Sequence, residues 1–98
     1  MDKLGKLYVG YDFTGLFKIG ITTDQEKRLK QIRTGNPYFC YLFVFSVNNP
    51  AVSEIELHTK FKDKRVKGEW FSLSAQDLNW ISEKFFGISA IREFEKVI

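Results

Sequence analysis

Five side chains of this 98-residue chain have types and spacings that could carry chemistry. Tyr8, Lys18 and Arg28 follow one another at intervals of ten residues, and Glu54 precedes His58 by one helical turn. A phenol, two cations, a carboxylate and an imidazole suit phosphoryl transfer, because that reaction needs positioned charge more than covalent intermediates. The question for the rest of the chain is which elements would bring these five residues together.

The first element is a predicted β-hairpin. Residues 6–11 and 16–22 alternate apolar and polar side chains, and the intervening turn contains the Asp and Gly that turns favour. Leu7, Val9, Ile19 and their alternating neighbours are expected to face the core. Gly10 and Gly20 are expected on the other face, where they would leave the backbone open to a ligand.

The register of this hairpin decides whether Tyr8 and Lys18 meet. If Tyr11 pairs with Gly15, Tyr8 lies directly opposite Lys18, because paired residue numbers have a constant sum in an antiparallel ladder. A cation in that position would lower the pKa of the phenol and make Tyr8 a better base.

A helix bearing Arg28 is predicted next. Thr23 as N-cap and Glu26 three residues later form a capping box, and the helix should end near residues 34–35. Arg28 lies one turn before the apolar Ile32, so its side chain is expected to turn towards the sheet. A partly buried guanidinium needs an anionic partner, either structural or part of a substrate.

The second half of the chain supplies the acid and the histidine. Residues 38–47 are almost all apolar, which predicts a central strand covered on both faces. Asn49 and Pro50 then open a helix on which Glu54 and His58 share a face with two large apolar residues. An acid and a histidine on an apolar face need pairing, hydrogen bonds or a metal.

The remaining segments are interpreted mainly as packing elements. A short strand or extended segment is expected at 69–71, where Glu69 is interpreted as structural, with metal binding as its second role. A third helix is predicted from Ser74 to about residue 86, and a last amphipathic helix over 88–97, which could pack or form an oligomer surface. No linker divides the chain, so residues 1–98 are predicted to form one domain.

Charge and composition favour an anionic partner in a reducing compartment. The net charge is +3, and a single cysteine excludes an internal disulfide. The single cysteine therefore predicts a reducing, cytoplasmic location, in a bacterial, phage or other viral intracellular context. No apolar run is long enough to span a bilayer. The predicted phosphate-backbone contacts are Lys27, Lys30, Arg33, Lys64, Arg65 and Lys67.

The order of these motifs resembles the GIY-YIG nuclease superfamily, in particular a phage-type branch with Lys-Ile-Gly in its second motif. The residues that carry the resemblance are Lys6-Leu7-Tyr8, Lys18-Ile19-Gly20, Arg28, Glu54-x-x-Leu57-His58-x-x-Phe61 and Gly68-Glu69-Trp70-Phe71. The resemblance implies an α+β fold, with a small three-stranded antiparallel sheet flanked by helices. The motif core would span about 5–80, followed by a C-terminal helical extension over about 74–98.

The resemblance also implies an activity, metal-dependent endonucleolytic hydrolysis of DNA phosphodiester bonds. Tyr8 would orient or deprotonate the attacking water, and Lys18, in place of a second tyrosine, would help to activate it or contact phosphate. Arg28 would stabilise the phosphorane charge, and Glu54 would hold one Mg²⁺ or Mn²⁺. His58 is placed in the catalytic set as a residue that could orient the water, hydrogen-bond Tyr8 or steady the water shell of the metal.

Two other functions remain open on the sequence. A catalytically inactive nucleic-acid-binding module of the same fold would keep the basic clusters and lose hydrolysis. A protein-interaction or assembly domain would use the terminal amphipathic helix, and a homodimer is possible in either case.

Overall fold

The computed structural model describes residues 5–86, which form one antiparallel sheet with helices on both faces. In chain order the elements are β1 (Gly5–Tyr11), β2 (Phe17–Thr22), α1 (Gln25–Gly35), β3 (Cys40–Val47), α2 (Pro50–Lys60), β4 (Arg65–Lys67), β5 (Trp70–Phe71) and α3 (Ala75–Phe86). The strands lie in the order β3-β1-β2-β5-β4. The α+β class is confirmed, but the described sheet has five strands, so the prediction of three is wrong.

The two additional strands are β4 and β5. The sequence pattern predicts a basic loop and a short extended stretch in this segment. Gly68 has a φ of 54°, which permits the tight turn between β4 and β5. The Ser72 N–H donates to the Lys64 carbonyl at 2.8 Å and closes the pair. Strands of three and two residues are too short to show an alternating pattern, so their sequence carries little signal.

The register of the hairpin differs from the predicted one by two residues. Tyr8 pairs with Gly20, and Lys18 pairs with Gly10. The predicted pairing of Tyr8 with Lys18 is therefore wrong.

The length of the loop explains this shift. Tyr11 pairs with Phe17, so five residues and not three connect the strands. The carboxylate of Asp12 accepts a hydrogen bond from the Thr14 N–H at 2.9 Å, and Gly15 has a φ of 84°. These local features stabilise the longer loop.

The sheet buries a different cluster on each face. The larger core, beneath α2 and α3, contains Leu7, Val9, Ile19, Phe43, Phe45, Val47, Leu57, Phe61, Phe71, Ile81 and Phe85. The smaller one, beneath α1, contains Tyr8, Phe39, Tyr41 and Val44, with Leu29, Ile32 and Trp70 packed against it. The predicted separation of hairpin residues between the two faces is therefore confirmed, although Tyr11 is exposed.

The apolar strand β3 is buried on both faces, as predicted, but it is not central. It lies at one end of the described strand order, and β2 lies in the middle. Helices cover both faces of the sheet, so burial of both faces of a strand does not reveal its place in the order.

The helix boundaries follow their capping residues. The cap of α1 is Asp24 and not the predicted Thr23, because the Asp24 carboxylate accepts from the Lys27 N–H at 3.0 Å. Asn49 caps α2 as predicted. Ser74 and Asp77 bond to each other's N–H groups at the start of α3.

The predicted helix over 88–97 lies outside the described residues. Within 5–86, no helix is long and apolar enough to cross a membrane.

Candidate functional site

The candidate site lies beside β2 at Ile19, on the side of the strand that faces β5. The residue opposite Ile19 there is Glu69, which directly precedes the first residue of β5. The Ile19 N–H donates to the Glu69 carbonyl at 3.0 Å, and His58 Nε2 lies 3.1 Å from the Ile19 carbonyl oxygen. The N–H and C=O of one strand residue point to the same side, so helix α2 and the segment before β5 meet there. Because the partner is a carbonyl, Nε2 must be the protonated nitrogen of His58.

Glu69 joins the predicted residues into one cluster. Its carboxylate forms an ion pair with Lys18, with 3.0 Å between Nζ and Oε1. It also lies close enough to Glu54, Tyr8 and Arg28 to change the pKa of each. From the sequence alone, Glu69 is interpreted as mainly structural. Its position directly before the Trp70-Phe71 strand was the feature that could have indicated a place in the site.

Glu54 is a half-buried carboxylate in an environment that disfavours its charge. Burial raises the pKa of Glu54, and the neighbouring Glu69 raises it further, while His58 and Lys18 act in the opposite direction. Glu54 Oε2 is buried and has no hydrogen-bond partner among residues 5–86. A carboxylate in this environment favours binding of a cation or a proton.

Tyr8 and Arg28 form the other half of the site. Burial raises the pKa of the fully buried Tyr8 phenol, and the nearby Arg28 guanidinium only partly offsets that effect. The predicted lowering of the Tyr8 pKa is therefore wrong: burial dominates, and Gly20 instead of Lys18 lies opposite. Tyr8 in turn raises the pKa of Arg28. Neither Tyr8 Oη nor Arg28 Nε has a partner of standard hydrogen-bond geometry in the described chain.

The glycines of the hairpin make room for aromatic rings and not for an open ligand site. A Cβ on Gly20 would overlap the ring and hydroxyl of Tyr8, and a Cβ on Gly10 would overlap the ring of Phe39. The expectation that these two positions leave exposed backbone is wrong, because rings of the smaller core fill the space above them.

The six basic residues predicted to contact phosphate differ in their interactions within the protein. Lys27, Lys30, Arg33, Lys64, Arg65 and Lys67 are all exposed. Arg33 Nε donates to the Phe39 carbonyl at 2.9 Å, and Lys64 is ion-paired with Asp77 at the start of α3. Arg33 and Lys64 therefore also stabilise the fold.

Glu54 and Glu69 are the residues of the site that could hold a hard divalent cation. Mg²⁺ typically binds one or two carboxylates and keeps several waters. Glu54 offers a buried oxygen without a partner in the described chain, and Glu69 lies beside it. No group of three or more His, Cys, Asp or Glu side chains within 5–86 is arranged to hold a metal. Any ion here would therefore complete its coordination with water or substrate oxygens.

Comparison with known proteins gives one family and one relative. The model of the T5orf172 domain matches residues 5–86. The "Putative KilA-N domain-containing protein 315L" of Invertebrate iridescent virus 6 is 34% identical over an alignment of 74 residues, and the match covers 71% of this chain and 31% of that protein. The chain thus spans about a third of the length of this relative. No solved structure matches.

These matches overturn the assignment made from the sequence motifs. The family found is that of the T5orf172 domain, and neither match indicates the GIY-YIG superfamily, so that resemblance is wrong as an identification. The short motifs that suggested this superfamily lie in the hairpin, in helices α1 and α2, and in the segment that pairs with β2. Such elements constrain residue types without defining a family.

Proposed function

The chain belongs to the T5orf172 domain family, and we propose that it is a metal-dependent endonuclease that hydrolyses DNA phosphodiester bonds. The proposal rests on the chemistry of the cluster at the β2 edge and on the exposed cations around it. The proposal makes two claims. The general one is that the chain binds nucleic acid, and the specific one is that it hydrolyses DNA.

One observation carries the proposal. The buried side-chain atoms without a partner in the described chain are Tyr8 Oη, Arg28 Nε and Glu54 Oε2, and they belong to one electrostatic cluster. Buried polar atoms are nearly always hydrogen-bonded. Tyr8 interacts with Arg28 and Glu54 with Glu69, but these three atoms lack a partner of standard hydrogen-bond geometry, so the cluster supports binding of a ligand. A phosphate near Arg28 and Tyr8, with a cation at Glu54, would satisfy all three.

Each residue of the cluster has a role in this proposal. Arg28 would stabilise the negative charge that develops on the phosphoryl oxygens, because its guanidinium stays charged in this site. The Tyr8 hydroxyl, which burial keeps protonated, would orient the attacking water through a hydrogen bond. Lys18, held by Glu69, would contact a phosphate oxygen.

The reaction would proceed by direct attack of water. The water oxygen forms a bond to phosphorus, its proton passes to solvent, and the leaving sugar oxygen takes up a proton as its bond to phosphorus breaks. Glu54, with Glu69 beside it, would hold one Mg²⁺ or Mn²⁺. When bound, such an ion supplies charge neutralisation and a lower pKa of coordinated water. His58 would position the site through its bond to Ile19.

The alternative is a catalytically inactive nucleic-acid-binding module of the same fold. This alternative needs only the exposed cations and no metal-binding carboxylate. In that case the exposed cations would provide affinity and Glu54 would have no role in function.

Cleavage of supercoiled plasmid DNA tests the proposal. Wild type is expected to nick or cut the plasmid with Mg²⁺ or Mn²⁺ and not with EDTA. Arg28→Ala and Glu54→Gln should each lower the rate by about 100-fold or more, as expected for the removal of transition-state stabilisation. Glu83→Gln, an exposed carboxylate on α3, is the matched control and should cut at the wild-type rate.

Two results separate the alternatives. If folded wild type binds DNA but cuts nothing with either ion, and Glu54→Gln binds equally well, the binding module is correct. If wild type neither binds nor cuts DNA at low salt, both proposals are wrong.

A further inference from the structure

A groove next to the candidate site carries an inference about which form of DNA this chain takes. The groove has a volume of about 350 Å³ and lies between the hairpin loop, the end of α1 and strand β4. Its walls include Asp12, Leu16, Asn36, Val66, Lys67 and Trp70. This volume is near the lower end of the range for small-ligand pockets, roughly 300–1,000 Å³, so it is large enough for one base.

Two exposed aromatic side chains are close in the chain to residues that line this groove. Phe13, in the hairpin loop next to Asp12, is 79% exposed, and Tyr38, two residues after Asn36, is 67% exposed. Their rings are in edge-to-face contact, with 5.4 Å between the centroids. Val66 in the groove wall is 58% exposed. An exposed apolar cluster of this kind on a small domain marks a surface for a ligand or partner.

Trp70 connects the groove to the proposed catalytic cluster. It lines the groove, and Lys18 Nζ lies 5.7 Å from the centroid of its ring. It also directly follows Glu69, the ion-pair partner of Lys18. A nucleotide whose base lies against Trp70 would therefore have its phosphate near Lys18.

The lining carries one carboxylate, Asp12, and one cation, Lys67, so it has no net positive charge that would favour a phosphate over a base. Hydrogen bonds from Thr14 and Asn36 lower the pKa of Asp12, so this carboxylate is anionic and repels phosphate. Its Oδ2 accepts one bond in the described chain, from Asn36, which leaves a lone pair for an N–H of a base. The exposed cations Arg65 and Lys67 lie on β4, and Lys67 also lines the groove, so phosphates next to the bound base would pass along this strand.

From these observations we propose that the groove binds an unstacked base of a single-stranded DNA segment, next to the phosphate held at the catalytic cluster. Bases in a duplex are stacked and cannot offer their faces to Phe13, Tyr38 or Trp70, whereas bases in a single strand can. The inference rests on the DNA-binding part of the proposed function and does not require hydrolysis.

The test compares one oligonucleotide of about 12 nucleotides as a single strand and as a duplex, in EDTA so that nothing is cut. The background is Trp80→Phe, which leaves Trp70 as the only tryptophan of the chain. The single strand should quench Trp70 fluorescence, whereas the duplex should not. Anisotropy of labelled DNA gives both affinities.

The groove variant is Phe13→Ser with Tyr38→Ser, since both side chains are exposed and their removal should leave the fold intact. It should weaken single-strand binding by about 10-fold or more and duplex binding by less than about twofold. The matched control is Val52→Ser with Ile55→Ser, which removes similarly exposed apolar side chains from α2. That control should bind both DNAs as wild type does.

The outcomes separate this inference from the proposed function. Equal quenching by the two DNAs, or a groove variant that binds the single strand as wild type does, overturns the groove proposal and leaves nuclease activity standing. Single-strand quenching without any plasmid cleavage supports the groove and overturns hydrolysis. Absence of all DNA binding at low salt overturns both.

Discussion

The ring of Tyr8 lies directly over Gly20, its partner in the hairpin, and a Cβ at Gly20 would approach the ring and hydroxyl to within 3.0 Å. The position of the Tyr8 hydroxyl therefore depends on the missing side chain across the ladder. Arg28 approaches the same hydroxyl from α1, so this packing also determines where the guanidinium lies.

Gly20→Ala should displace Tyr8 and impair the site. We expect the free energy of unfolding to fall by about 1–3 kcal/mol, because the added methyl overpacks a buried position, and DNA cleavage to fall strongly with it. Urea denaturation and the plasmid assay measure the two effects. Gly35→Ala, where a Cβ meets nothing, is the control. Wild-type stability and activity in Gly20→Ala would contradict the described packing.

Tyr8→Phe should show the contribution of the hydroxyl separately from that of the ring. The ring packing remains while the hydroxyl beside Arg28 is removed, so stability should change by no more than about 1 kcal/mol while cleavage falls by about 10- to 100-fold. Burial raises the pKa of Tyr8 above its ordinary value of 10.0. Wild type should therefore show one tyrosine ionisation above pH 10 that Tyr8→Phe does not show. Ultraviolet difference titration of the two proteins measures it. A missing component near neutral pH would show that Tyr8 is a base after all.

Glu54→Gln should stabilise the metal-free protein in a pH-dependent way. The pKa of Glu54 is raised in the folded state, so folding takes up protons and wild-type stability falls as pH rises from the ordinary Glu range through the folded pKa. The variant should therefore melt a few degrees higher at about pH 8 and show no advantage at about pH 4. Added Mn²⁺ should raise the melting temperature of wild type and not of the variant. An advantage that grows with acidity would contradict the sign of this shift.

His58 should prove to be a positioning residue. His58→Ala removes the bond to the Ile19 carbonyl and the edge packing on Phe71, where the centroids are 4.9 Å apart, and should cost about 1–3 kcal/mol. His58→Gln can still donate to that carbonyl and should recover much of the stability. With both proteins folded, Gln should also recover cleavage. If Gln restores stability and cleavage stays as low as in Ala, the imidazole itself takes part in the reaction.

The exposed cations should contribute salt-dependent DNA affinity unequally. Lys27→Ala with Lys30→Ala, and Arg65→Ala with Lys67→Ala, should each weaken binding and reduce the slope of log K against log salt by about 1 for each phosphate that is no longer neutralised. Lys64→Ala should mainly lower the melting temperature, because Lys64 is paired with Asp77. Affinities measured from about 50 to about 200 mM salt give the slopes. Unchanged slopes would place the phosphate-binding residues elsewhere.

Much of the fold was predictable because its signals are local. The alternation of the hairpin, the Asn49-Pro50 start of α2 and the Ser74 cap of α3 depend on neighbouring residues, and all three are confirmed. The helical spacing that puts Glu54 and His58 on one face is confirmed for the same reason. Short strands and the order of strands in the sheet depend on distant pairings, which local patterns do not record.

The site divides in the same way. Residue types and helical spacing were enough to nominate Tyr8, Lys18, Arg28, Glu54 and His58 as candidates. A two-residue shift in the hairpin then replaced Lys18 by Gly20 as the partner of Tyr8, and burial raised a pKa that had been expected to fall. Register and desolvation depend on loop length and on packing against α1, so they arise only when the chain is folded, and Glu69 becomes central only once β5 lies beside β2.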